Sequence, residues 1–159
     1  MRLSRVISLA ALVAGPAVGC GDSAGPAGVT MADLVGTWSM TRLQWTEIGG
    51  ASRVFDFIAN GGTMTVMVAA DGSVTGSGSF ALTGPFTLSG SLALQVDTIM
   101  LDLQAQADNP GAPTLTFPTA FSFALSGNTL TLTNTSTVFD FGFDGSGEAA
   151  TLLMVLALQ

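Results

Sequence analysis

Two stretches of this 159-residue chain carry side chains whose type and spacing could do chemistry. The first is Asp140-Phe141-Gly142-Phe143-Asp144-Gly145-Ser146-Gly147-Glu148. Its oxygens follow a calcium loop, with Asp140 at position 1, Asp144 at position 5, a glycine at the sharp turn, then Ser146 and Glu148. Two places depart from that pattern: position 3 is Gly142, which has no ligand, and position 12 is Thr151 where a bidentate Glu belongs. One reading is a weak extracellular-type calcium site. The competing reading is an acidic glycine-rich loop between two strands, with Phe139, Phe141 and Phe143 covering one mouth of the fold. The second stretch holds the only thiol, Cys20, in Ala17-Val18-Gly19-Cys20-Gly21-Asp22. It follows an apolar run, Val6 to Val18, that is too short to span a bilayer and is preceded by Arg2 and Arg5.

Gly and Pro surround Cys20, so it has no periodic apolar element in which to be buried as a structural thiol. The segment reads as a secretory signal ending at a thiol that could be acylated. It resembles the lipobox of bacterial lipoproteins, with Ala17 where that family prefers Leu. The resemblance implies cleavage before Cys20, lipidation of its sulfur and export to the cell envelope. In an organism with two membranes that means the outer membrane, facing the periplasm or the cell surface. Two or more acyl chains give stable anchoring where one is marginal. The chain then divides into a signal peptide (1–19), a flexible linker from Cys20 (20–29) and one domain (30–159).

Cleavage would leave 140 residues, enough for a single core. Arg42 and Arg53 would face eleven acidic residues, a net charge of −9. Nucleic acid is excluded as a partner, since binding it needs clustered Lys and Arg. An anionic membrane surface would repel the domain, so membrane association falls to Cys20. One cysteine and no histidine leave neither an internal disulfide nor a zinc ligand set. Without His, Lys or Tyr there is no ready general base or Schiff-base amine, and the expectation is a non-enzyme without a cofactor, weak calcium apart. Asp140 with Asp144 is the nearest carboxylate pair, and solvated loop acids explain it.

The elements that must position these residues are strands. From Gly36 onward apolar residues recur with period two, as in Phe86, Leu88, Gly90, Leu92, Leu94 and Val96 against Thr87, Ser89, Ser91, Ala93, Gln95 and Asp97. One face meets a core and the other water. Strands are expected near 36–47, 63–70, 73–83, 86–96, 98–105, 115–125, 129–135 and 150–158. Asp71-Gly72 reads as a type I′ turn and Gly127-Asn128 as a two-residue turn. The apolar parity flips between Val96 and Ile99, which calls for a turn at Asp97-Thr98. It also flips between Met40 and Leu43, which calls for one extra residue near Thr41-Arg42. Thr30-Met31-Ala32-Asp33 reads as a capping box opening a helical turn.

Eight sequential antiparallel strands with one apolar face predict an all-β, up-and-down (meander) barrel, because closure removes exposed edges. An eight-stranded barrel is just wide enough to fill with side chains or to hold one small ligand. With a short helix ahead of Gly36-Thr37-Trp38 on the first strand, the chain resembles the lipocalin-like superfamily, specifically small lipid-anchored lipocalin-like proteins of bacterial envelopes. That resemblance implies an apolar small molecule or lipid bound in the interior. The basic residue that the pattern places late in the barrel is missing from Leu152 to Gln159. Trp38, Phe80, Phe86, Phe121 and Phe123 are the candidate ligand-binding residues. Gly76 and Gly78 would leave space for a large neighbour such as Trp38. Arg53 would meet a ligand carboxylate or stay a solvated charge near Glu47 or Asp56. The alternative function is a filled barrel serving as a structural or protein-interaction module. The last strand is apolar on both faces, so the Val29 to Val35 segment, the loop at 106–114, or a protein partner or second copy would cover it.

Overall fold

A computed structural model describes residues 28–80, 84–108 and 120–159. The signal segment, Cys20 and most of the 20–29 linker lie outside the described residues, as do Phe117 and most of the 106–114 loop. The elements are α1 (Met31–Leu34), β1 (Gly36–Glu47), β2 (Val54–Asp56), β3 (Thr63–Val68), β4 (Ser73–Phe80), β5 (Gly84–Leu94), β6 (Thr98–Ala107), β7 (Ala120–Ser126), β8 (Thr129–Phe139) and β9 (Glu148–Leu158).

The strands form one antiparallel sheet in sequential order, and β9 pairs back onto β1 from Trp38–Leu158 to Glu47–Ala150. The protein is therefore a closed eight-stranded antiparallel barrel with one extra short strand. That extra strand, β2, was not legible in the sequence. It pairs with Gln44 to Thr46 along the same edge of β1 whose lower part, Gly36 to Ser39, pairs with β3. One wall position is thus split in two, and residues 57–62 make an excursion between the halves. Asp56 closes that excursion by accepting from the Ile58 and Ala59 amides at 3.0 and 3.1 Å. Gly62 is required there, because a Cβ would overlap the Phe57 ring that turns into the barrel.

The irregularities follow from side-chain parity. The β1–β9 register shifts between Met40 and Arg42, so Thr41 is the extra residue that returns Leu43 and Trp45 to the interior. Between β5 and β6 the chain turns over Gln95 to Asp97, with the Gln95 amide donating to the Thr98 carbonyl at 2.8 Å. Val96, read as the end of an inward row, is instead 90% exposed on that turn. A bulge in β8 between Asn134 and Thr137 had no counterpart in the sequence reading. The Asp71-Gly72 turn is not type I′, which needs positive φ at both central residues. Positive φ falls on Gly72 alone (+81°), and its amide donates to Ala69 at 3.0 Å. This is a type I turn relaxed by a glycine bulge. At Gly127-Asn128 only Gly127 has positive φ (+55°), the type II′ pattern.

The two ends of the barrel differ. At the lower end α1 lies against the start of β1, Thr30 donates to the Asp33 carboxylate through its amide (2.8 Å) and its hydroxyl (2.7 Å), and Leu34 is fully buried. Val29, read as linker, packs half-buried on the core. The upper end carries the 48–53, 57–62 and 140–147 connections.

Candidate functional site

The interior is the first place to look for a site, because inward side chains from every strand converge there. No polar or charged residue is buried among the described residues. The indole Nε1 of Trp38 donates to the Leu34 carbonyl at 2.9 Å, joining the lower cap to the first strand. Above Trp38 lies a cavity of about 30 Å³, lined by apolar side chains including Met40, Met64, Leu132 and Met154.

Of the five candidate ligand residues, only Trp38 lines that cavity. Phe80 and Phe86 belong to an aromatic plug with Phe57, which had not been singled out. The Phe57 and Phe80 rings meet edge to face at 4.8 Å, and the Phe80 and Phe86 centroids lie 5.0 Å apart. Gly78 makes room for Phe86 and not for Trp38, since a Cβ on it would overlap the Phe86 ring and the Thr63 carbonyl. A Cβ on Gly76 would overlap the Thr65 carbonyl, so there the tight approach is to the neighbouring strand. Phe121 and Phe123 fill the opposite wall, facing Ile99 and Leu132 across the ladder.

A second aromatic group closes the upper end where β8, β9, β1 and β2 meet. Phe139 stacks on both Trp45 (4.7 Å) and Phe55 (5.1 Å), which are 6.1 Å from each other, while Phe141 meets Phe139 edge to face at 4.9 Å. Phe143 touches Phe55 and Phe139 at 6.0 and 6.3 Å and stays largely in solvent, with a φ of +53°. The reading of Phe139, Phe141 and Phe143 as a mouth cover matches this placement. Trp45 and Phe55 join them only because the β1–β9 seam closes.

Arg53 sits over that seam. Its guanidinium donates to both oxygens of Glu47 at 2.9 and 3.0 Å, reaches Glu148 at 2.5 Å, and lies 5.4 Å from the Phe141 ring centre. Those bonds hold the Glu47 carboxyl below the ordinary glutamate range and raise the pKa of Arg53 further. Arg53 is thus clamped by carboxylates rather than solvated as expected, and of the two acids expected near it Glu47 is its partner, while Asp56 pairs at 3.9 Å with Arg42.

The carboxylates of the loop expected to hold calcium are turned onto their own backbone. Asp140 accepts from Asp144 (3.2 Å) and Gly145 (2.7 Å), and Asp144 accepts from Ser146 at 2.8 Å. Glu148 accepts from Phe141 at 3.0 Å as well as from Arg53. These amides pull the Asp140 pKa down against the opposing effect of burial. Among the described residues no group of three or more acidic, His or Cys side chains is gathered in a way that could hold a metal ion.

Comparison with protein-family models, with curated proteins and with solved structures finds no match to this chain.

Proposed function

We propose that the protein is an envelope lipoprotein, held to its membrane through Cys20, whose filled barrel works as a structural or protein-interaction module. The observation that carries this reading is the volume of the interior. A pocket for a small molecule takes about 300–1,000 Å³. The cavity here is about 30 Å³, room for one or two waters, and its all-apolar lining offers water no partners. Its lining, from Trp38 to Leu156, is made of buried core side chains, so an apolar guest would have to displace them. An apolar ligand in the barrel, the other function expected from the lipocalin resemblance, finds less support in this geometry.

Native mass spectrometry of the full chain made in a lipid-rich host tests both parts. The expected species carries acyl chains on Cys20 and no further mass, and Cys20→Ser removes the acyl mass. A non-covalent guest that survives purification would overturn the filled-barrel reading. An unmodified Cys20 in the exported chain would overturn the anchor.

A further inference from the structure

We propose that the upper rim of the barrel, built around Phe143, Val138, Ile48 and Val54, docks a basic protein segment that carries apolar side chains. This deepens the reading of the barrel as an interaction module and rests on it. Val138, Ile48 and Val54 are 64%, 49% and 57% exposed on the outer face of the rim. Val138 pairs with Ala149, and the Ile48 amide donates to the Ala149 carbonyl at 2.8 Å, so Ala149 lies between them, while Val54 pairs with Thr46, two residues before Ile48. Phe143, 74% exposed, rests on Phe55 and Phe139, whose side chains turn to the inner face, so it stands over the mouth just inside that edge. A segment lying across the rim meets the outer side chains and then the Phe143 ring, which is already seated on other rings and has little freedom left to lose on binding.

The loop presenting Phe143 is held in place. Asp140, Asp144 and Glu148 bond four of its amides, and Phe143 adopts a left-handed backbone that an exposed Phe does not adopt for its own stability.

Charge selects the occupant. Glu47, Asp56, Asp140, Asp144 and Glu148 stand at this end against Arg42 and Arg53, and both guanidiniums are already engaged by carboxylates. A second copy at net −9 or an anionic bilayer would bring like charge, whereas Lys or Arg flanking an apolar anchor is attracted. The described chain enters at α1, at the opposite end from this rim.

The test places a photo-crosslinking benzoylphenylalanine at position 143 of the full chain, and separately at Ser89 on the outer wall, and irradiates the cells that make it. The expected adduct forms from 143 at least tenfold more than from 89. Mass spectrometry should place it in a segment with more Lys and Arg than Asp and Glu, apolar residues included. A synthetic peptide of that segment should bind the purified chain. Phe143→Asn, which suits the left-handed backbone, should weaken that binding at least tenfold with the urea midpoint unchanged. Adducts only to lipid, to a second copy or to an acidic segment, equal adducts from 89, or none at all would each overturn the proposal. Adducts from 89 alone would sink the rim and leave the filled-barrel reading standing, while a guest mass in the native spectrum sinks only the latter.

Discussion

Met154 is buried beside the 30 Å³ cavity, so its truncation measures how tightly the interior is filled. Met154→Ala removes about 75 Å³ of side chain, worth about 1.8 kcal/mol at roughly 24 cal/mol per Å³ if nothing collapses. The lost transfer of its apolar atoms from water adds about 1.5–2 kcal/mol. The sum, about 3.5 kcal/mol, shifts a urea midpoint down by roughly 1.5–2 M for an m-value near 2 kcal/mol/M. With Met64→Ala added, the two truncations free about 150 Å³ of side-chain volume, the size of an apolar cavity that admits benzene. Urea denaturation and thermal melts with and without benzene read both effects. Wild type should ignore benzene, and the double variant should melt higher in its presence; if the double variant does not fold, the single variant's midpoint decides. A cost below about 1 kcal/mol, or benzene stabilising the wild type, would refute the claim that the barrel is packed solid.

Gly78→Ala should destabilise by about 1–3 kcal/mol through overlap with the Phe86 ring and the Thr63 carbonyl, and Phe86→Leu should recover only part of it, as chemical denaturation would show. Trp38→Phe leaves the buried Leu34 carbonyl unpaired, which costs about 1–3 kcal/mol in the same assay. Arg53 depresses the Glu47 pKa from its ordinary 4.5, so the unfolded chain takes up the proton first and the stabilisation is complete above about pH 4.5. It is lost as pH falls through the lower folded value. Arg53→Gln should therefore be less stable than wild type at about pH 6, with the gap narrowing as pH falls below the ordinary glutamate value; a gap that widens on acidification would contradict the Arg53–Glu47 assignment.

Much of the wall was legible because a strand's faces alternate with period two whatever it packs against. The parity break between Met40 and Leu43 located the Thr41 bulge, and that between Val96 and Ile99 located the turn. Three features were not legible for specific reasons. Val54 to Asp56 is too short to show alternation, and it becomes a strand only because β1 offers it an unpaired edge. Asp71-Gly72 reads alike for two hairpin turns, and the loop length between β3 and β4 decides between them. The oxygens from Asp140 to Glu148 have near-calcium spacing, but spacing cannot say that the loop folds onto its own amides and that Arg53 arrives from 95 residues away.

By itself the sequence determined the alternation of most wall residues between core and solvent, the approximate places of the hairpins and how acidic the chain is, since each depends on the residues themselves or on neighbours a few positions apart. Closure of β9 onto β1, the union of Trp45 and Phe55 with Phe139, the Arg53 clamp and the volume left inside belong to the tertiary structure alone. The physical reason is that barrel radius follows from the stagger accumulated over all strands. The room left for a guest then depends on how the side chains of every strand meet across that space, and a cavity as small as about 30 Å³ is visible only once every register is set.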